Sequence, residues 1–160
     1  MDQGVCRETL SGLLSEETTL LMQLEDLLDR EQEVLKSQDV AAINATALER
    51  QERIGALARL EEQRRALCRL HGQTPDLLGL ERVLAWCDAN GTLMPKLREC
   101  AERAARCRDL NDRNGTLVNA RLKRVEGLLG VLTGRNQPAN TYGPKGACGP
   151  SRSGRVLGAA

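Results

Sequence analysis

The side chains with the widest chemistry in this sequence are six cysteines and a single histidine. No two cysteines stand in the CxxC spacing of a zinc or redox site, and one histidine adds little to a tetrahedral ligand set. The chain opens without the basic and apolar run of a secretory signal, so we expect the thiols to stay reduced. Cys100 and Cys107, seven residues apart on one helix face, are interpreted as small buried residues.

Candidate catalytic groups are as sparse as metal ligands. His71 ends a predicted helix, and the sequence places no serine, cysteine or carboxylate beside it. Glu61, Glu62, Arg64 and Arg65 have the pattern of a solvated helix face. One tryptophan, one tyrosine and no phenylalanine leave little material for an aromatic ligand pocket. The sequence therefore predicts a protein without enzymatic activity, bound metal or cofactor.

The elements that position these residues are predicted to be helices, because the composition is rich in aliphatic and poor in aromatic side chains. The 160 residues are 41% hydrophobic and 28% charged, which is typical of helix bundles and coiled coils rather than of sandwiches, barrels or Rossmann sheets. No apolar run approaches the roughly 20 residues that span a bilayer. We predict an all-α protein, an elongated antiparallel helical bundle or coiled coil of three long helices and one short helix. It is expected to be cytoplasmic, without stable membrane insertion.

The first predicted helix carries two columns of aliphatic residues at seven-residue spacing. Such columns form a wide apolar stripe on one helix face, and a rod of this length needs long partner helices. The columns are Leu13, Leu20, Leu27 and Val34, and Leu14, Leu21, Leu28 and Leu35, with Leu10 and Leu24 between them.

Capping and turn residues divide the rest of the chain into a second long helix, a short helix and a fourth long helix. Asp39 is a predicted N-cap of the second helix, which a His-Gly pair ends after Leu70. Thr74 followed by Pro75 predicts the start of the short helix. After an Asn-Gly turn, Thr92 predicts the cap of the fourth helix.

The fourth helix continues a seam of alternating three- and four-residue steps to Leu132. Two asparagines, Asn111 and Asn114, lie in this seam. They either hydrogen-bond inside the bundle and fix its register, or mark where a partner-binding surface begins. Because the phase persists across them, the helix is predicted to be continuous, although Asn114-Gly115 is also compatible with a break. The seam comprises Leu93, Leu97, Cys100, Ala104, Cys107, Asn111, Asn114, Val118, Arg121, Val125, Leu128 and Leu132.

Charge and composition distinguish the two ends of the chain. Residues 1–36 carry nine acidic and three basic side chains, whereas residues 91–135 carry five acidic and ten basic ones. The first and last long helices are therefore expected to attract each other. Residues 136–160 contain three of the five prolines and no acidic residue. We predict a helical bundle domain over residues 1–135 and a flexible basic Pro/Gly-rich tail over residues 136–160.

Two features suggest binding to other proteins. The apolar face of the fourth helix after the asparagines either packs on the first helix or is left to receive an amphipathic helix of a partner. The only tyrosine, Tyr142, is either a turn residue of the tail or an aromatic anchor for recognition.

The order and separation of these blocks resemble the FlgN family of flagellar export chaperones. The resemblance rests on RDLNDRNG at residues 108–115, the amphipathic stretch up to Leu132, and YGPKG at residues 142–146. It implies a cytosolic, non-enzymatic chaperone that binds the helical ends of the hook-filament junction proteins FlgK and FlgL and prevents their premature association. Such a chaperone delivers its clients to the flagellar type III export gate.

The resemblance also implies roles for particular residues. In the family, the C-terminal amphipathic helix contacts the client, and a tail tyrosine is associated with docking to the gate component FlhA. The implied client-binding residues are Asn111, Asn114, Gly115, Leu117, Val118, Leu122, Val125, Leu128, Leu129 and Leu132. The implied gate-docking residues are Tyr142, Gly143 and Gly146.

Two other classes of function compete with this prediction. A structural coiled-coil protein would homo-oligomerise through the leucine columns of the first helix. A nucleic-acid-binding protein would use the basic fourth helix and tail, but acidic residues accompany the basic ones and no aromatic residues are interleaved for base stacking. The sequence therefore favours protein partners over nucleic acid.

Overall fold

The computed structural model describes residues 2–37 and 39–132, and its regular structure in these ranges is entirely helical. The helices are α1 (Gln3–Lys36), α2 (Val40–Leu70), α3 (Leu77–Cys87) and α4 (Met94–Leu132). This confirms the prediction of an all-α bundle with three long helices and one short helix. Within the described ranges, no helix combines the length and the hydropathy that crossing a membrane requires.

Two compact units divide the chain between Lys123 and Arg124. The first unit, Met1–Lys123, contains α1, α2, α3 and the larger part of α4, and it holds the hydrophobic core. The described part of the second unit is the remainder of α4, up to Leu132. The predicted boundary between residues 1–135 and 136–160 lies outside the described residues and stays a prediction.

Helix α1 supplies more of the core than any other helix, as its leucine columns predicted. All but two of the column residues are buried, and Leu20 and Val34 are half-buried. Each fully buried leucine contributes roughly 1.5–3 kcal/mol of hydrophobic stabilisation. Because these columns are buried or half-buried in the chain's own core, α1 presents no exposed leucine column to a second copy.

Two buried ion pairs fix the antiparallel register of α1 and α2. Glu31 accepts two hydrogen bonds from Arg50, at 2.8 and 3.0 Å. Glu17 lies 2.9 Å from Arg64, two heptads further along the same contact. Burial raises the pKa of Glu17, and the attraction of Arg64 offsets only part of that effect.

The starts of α2 and α3 show one confirmed cap and one wrong prediction. Asp39 caps α2 as predicted, by accepting a hydrogen bond from the Ala42 backbone N–H at 3.0 Å. At α3 the predicted Thr74-Pro75 start is wrong, because Asp76 is the cap and accepts from the Gly79 N–H at 2.8 Å. The Thr74 hydroxyl instead donates to Asp76 at 2.8 Å.

Asp88 organises the turn from α3 into α4. Its carboxylate accepts from the Leu93 backbone N–H at 2.7 Å and from the Thr92 hydroxyl at 3.0 Å. Arg7 of α1 adds an ion pair at 3.2 Å. The Leu93 N–H is the main reason why the pKa of Asp88 lies below its usual value. The predicted role of Thr92 as the cap of α4 is therefore wrong. Its hydroxyl donates to Asp88 within the turn, and α4 begins at Met94.

Candidate functional site

In the first unit, α4 lies parallel to α1. Once in each heptad, a side chain of α4 donates a hydrogen bond to a backbone carbonyl of α1. Each donor lies seven residues after the previous one, and so does each acceptor, which defines one constant parallel register. Small or polar seam residues allow this approach of a side chain to the neighbouring backbone. The contacts are Cys100 Sγ to Leu14 O at 3.6 Å, Cys107 Sγ to Leu21 O at 3.6 Å, Asn114 Nδ2 to Leu28 O at 2.8 Å, and Arg121 Nη1 to Leu35 O at 3.3 Å.

The seam thiols are buried, and burial raises the pKa of each. The pKa of Cys107 rises to about 11. A thiol of this kind is a poor nucleophile and a poor metal ligand. This agrees with the interpretation of the two cysteines as small buried residues, and it adds a weak S–H donor to each.

Asn114 lies at a polar junction of the three long helices. Its side chain is fully buried, and its amide donates to Leu28 O of α1 and, at 3.0 Å, to the Glu31 carboxylate. Glu31 is in turn held by Arg50 of α2. Of the two interpretations of this asparagine, the arrangement is that of a register-fixing residue inside the bundle. Its partner Glu31 lies in the same heptad column as Leu24, a signal that the sequence analysis missed.

Arg121 fastens α4 to the C-terminal end of α1. Its guanidinium donates to Leu35 O and, at 2.7 Å, to Ser37 O. These carbonyls lie where the last turn of a helix lacks internal donors, and the positive charge favours the negative end of the helix dipole.

Ion pairs along the same contact confirm the predicted attraction between an acidic α1 and a basic α4. Glu25 lies 3.2 Å from Arg103 and 3.3 Å from Arg106, and Asp29 lies 3.1 Å from Arg113. The pairs lie beside the buried seam and are partly exposed, so each contributes on the order of 1 kcal/mol or less.

The predicted client-binding residues fall into three groups by exposure. Asn111 is exposed and Asn114 is buried, while Gly115, Leu117 and Val118 are half-buried. The next four, Leu122, Val125, Leu128 and Leu129, are exposed. The side chain of Leu132, together with the predicted docking residues Tyr142, Gly143 and Gly146, lies outside the described residues.

Helix α4 is continuous through Asn114-Gly115, which confirms the predicted helix and excludes a break there. The exposed apolar side chains from Leu122 onwards therefore stand at regular helical positions. Leu122, Val125 and Leu129 follow the i, i+3, i+7 spacing of one face. Such a face can pack against an apolar stripe of another helix, but it carries no group for covalent chemistry. Among the described residues, no three acidic, histidine or cysteine side chains gather to hold a metal ion.

Comparison with known proteins adds a relationship over almost the whole chain. The family model described as "FlgN protein" matches residues 1–148. "Flagella synthesis protein FlgN" of Salmonella typhimurium strain LT2 is 31% identical over 150 residues, covering 91% of this chain and 94% of the relative. The protein of that name from Salmonella typhi gives the same identity and coverage. No solved structure matches the chain.

Proposed function

The chain belongs to the FlgN family, and from this premise we propose that it is a cytoplasmic chaperone of flagellar protein export without enzymatic activity. Its clients are the hook-associated proteins FlgK and FlgL. It covers their helical ends, prevents premature association and delivers them to the export gate protein FlhA.

The observation that carries this proposal is the exposed apolar face of α4. Leu122 is 55% exposed, Val125 is 47% exposed and Leu128 is 60% exposed. Contiguous apolar surface of this kind is unfavourable in water and is typical of a binding surface. A client helix with aliphatic side chains at i, i+3, i+4 and i+7 would cover it.

After the polar junction at Asn114, the contact of α4 with α1 continues to Arg121, and the exposed apolar face begins at Leu122. Up to the junction, the seam residues of α4 other than Asn111 are buried or half-buried. After Asn114, the described α4 side chains include no fully buried residue. One helix thus serves two purposes, with its first part committed to the bundle and its last turns available to a client.

Binding through this face is expected to be moderate and reversible. An assembly segment of a hook-associated protein has to become ordered when it binds, and that ordering offsets part of the burial free energy. A moderate affinity also permits release at the gate. No covalent step or nucleotide is required of the chaperone, because covering the client's apolar surface is sufficient.

Gate docking is proposed for the tail. Tyr142, with Gly143 and Gly146 beside it, supplies one large ring among small and polar neighbours. Joined to the client-binding helix by a short stretch of chain, such an anchor would raise the local concentration of client at FlhA. Tyr142→Ala is expected to weaken FlhA binding and to leave client binding unchanged.

The client surface is tested by paired acidic substitutions. Val125→Asp with Leu128→Asp is expected to weaken binding of a C-terminal FlgK peptide at least about tenfold, because charged groups enter the contact. A matched control exists on α2, where Ile54 is 46% exposed and Leu48 is 64% exposed. Ile54→Asp with Leu48→Asp introduces the same charges at similar exposure and is expected to leave affinity unchanged.

Circular dichroism separates loss of binding from loss of structure. Helicity close to that of the parent, combined with weakened peptide binding only in the α4 pair, supports the proposal. Equal binding by both pairs contradicts the assignment of the client surface to α4. A collapse of helicity in the α4 pair would show that these residues belong to the core.

A further inference from the structure

A cavity of about 300 Å³ lies at the junction of α2 and α3, in the first unit. It is lined by His71, Gln73, Arg82, Val83 and Trp86. Four of these five side chains are able to donate a hydrogen bond, and none of them carries a negative charge. This composition favours a ligand group that accepts hydrogen bonds.

The His71 side of the cavity is built by the end of α2. The Gly72 N–H bonds to Arg69 O at 3.0 Å and the Gln73 N–H to Cys68 O at 2.9 Å, with Gly72 at φ 67°. These two bonds form the Schellman motif, which fixes the chain as it leaves a helix. The main chain at His71 and Gln73 is therefore fixed.

The opposite side of the cavity is α3, which is equally fixed. Val83 is buried in the core, and the Trp86 carbonyl accepts a hydrogen bond from the Gln3 side chain at 3.2 Å. The rings of His71 and Trp86 are 4.9 Å apart and tilted by 48°. The two sides thus meet in an aromatic contact at the cavity wall.

One polar atom of this wall lacks a partner. His71 Nε2 is buried and makes no hydrogen bond to any residue that the structure describes. Buried polar groups are almost always hydrogen-bonded, and an unpaired one costs free energy that a bound partner would recover. With its proton on Nε2, the imidazole would donate to an acceptor.

The charge of the site is supplied by Arg82. In the described part of the chain, no carboxylate lies within ion-pair distance of its guanidinium. The hydrogen bonds from the Gly79 N–H and the Thr74 hydroxyl are the main causes of the lowered pKa of Asp76, and the positive charge of Arg82 lowers it slightly. The Asp76 carboxylate already accepts these two bonds as the cap of α3. The guanidinium is therefore available to a carboxylate from another molecule.

An apolar strip continues from the cavity along α3. Leu78, Arg82 and Trp86 are spaced four residues apart, so they share one face, and Leu78 and Trp86 are both exposed. Tryptophan and arginine are the side chains most enriched among interface hot spots. A ligand with a carboxylate beside an aliphatic side chain matches both parts of this surface.

We propose that the α2–α3 cavity is a second protein-binding site, which takes a glutamate or aspartate side chain of an acidic and aliphatic peptide segment. The carboxylate accepts hydrogen bonds from Arg82, His71 and Gln73, and the neighbouring aliphatic side chain packs on Trp86 and Leu78. This site is separate from the proposed client surface of α4, and its test does not depend on that proposal.

The site is well suited to a direct test, because the chain contains one tryptophan and one histidine. Each gives a single ring signal in NMR spectra. Acetyl-Leu-Glu-amide is added to the full-length chain up to millimolar peptide concentration. The neutral analogue acetyl-Leu-Gln-amide is added in a separate titration. The acidic peptide is expected to shift the Trp86 indole and His71 imidazole signals, with an affinity about tenfold higher than that of the neutral analogue.

Arg82→Gln is expected to reduce the affinity for the acidic peptide about tenfold, whereas Arg98→Gln, an exposed arginine of α4, is expected to have no effect. Equal affinity for the two peptides overturns the proposal, as does the absence of ring shifts at millimolar peptide. Binding to phosphatidylserine vesicles that requires Arg82, in the absence of peptide binding, would identify a lipid site and overturn the proposal as well.

Discussion

Replacing Asn114 by alanine tests the physical basis of the α1–α4 contact. The substitution removes the amide that donates to Leu28 O at 2.8 Å and to the Glu31 carboxylate at 3.0 Å. Arg50 still holds Glu31, but the buried carboxylate loses one donor. A hydrogen bond to a charged group is worth about 1.5–3 kcal/mol and a neutral one about 0.5–1.5 kcal/mol. The expected loss is therefore about 2–4.5 kcal/mol, a large share of a typical domain stability.

The assay is urea unfolding at neutral pH, followed by circular dichroism, with Asn111→Ala as the matched control. Asn111 is the same residue type, three positions earlier on the same helix, but it is exposed. Its replacement is expected to change the free energy of unfolding by no more than about 0.5 kcal/mol. Equal effects of the two substitutions, or a stabilising Asn114→Ala, would refute the reasoning. A double-mutant cycle with Glu31→Gln is expected to give a coupling of about 1–2 kcal/mol.

Three further predictions follow from single residues. A methyl group at Gly115 meets no atom within 4 Å, so Gly115→Ala is expected to raise the free energy of unfolding in urea by up to about 1 kcal/mol; a decrease would contradict an open helical site. Because the pKa of Glu17 is raised, the folded state binds the proton on this carboxyl more tightly than the unfolded state does. This proton binding stabilises the folded state at low pH, and the stabilisation is lost as pH rises above the pKa of an unfolded glutamate, about 4.3. Glu17→Gln should therefore gain stability relative to the parent as pH rises from about 4 to about 7, and a flat difference would contradict the shift. With its pKa near 11, Cys107 should react with iodoacetamide at least about tenfold more slowly in the folded than in the urea-unfolded chain, and equal rates in mass spectrometry would show it accessible.

The helices and the core were predictable because their signals are periodic and local. The leucine columns of α1 needed only the seven-residue spacing to define the buried face. The Asp39 cap needed only its position before the next apolar segment, and its bond to the Ala42 N–H is a contact within one turn. Continuity of α4 followed from the seam phase, which persists across Asn114-Gly115. None of these inferences required knowledge of a neighbouring element.

Features that depend on contacts between distant segments were harder to predict. Thr74 and Asp76 are both good capping residues, and packing decides between them. A Cβ at Gly79 would overlap the Thr74 carbonyl, so the chain folds tightly over the first turn of α3 and places Asp76 at the Gly79 N–H. Local sequence preferences do not predict either of these contacts.

The polar junction and the α2–α3 cavity were missed for the same reason. In the sequence, Glu31 does not differ from the other acidic residues of α1. Its role depends on its contacts with Arg50 and Asn114, which only the fold provides. His71 and Trp86 are fifteen residues apart, and only the Schellman turn and the packing of α3 bring their rings together. Charge and aromatic content thus suggest which residues matter, whereas the fold decides which of them meet.

The central claim is that the last turns of α4 bind a helical client while α1 and the first part of α4 hold the bundle together. Amide hydrogen exchange, measured with and without a C-terminal FlgK peptide, tests it most directly. We predict that the peptide slows exchange in residues 117–132 and leaves α1, α2 and residues 94–114 unchanged. Slowed exchange confined to α1, α2 or α3, or no change at a saturating peptide concentration, would contradict the account.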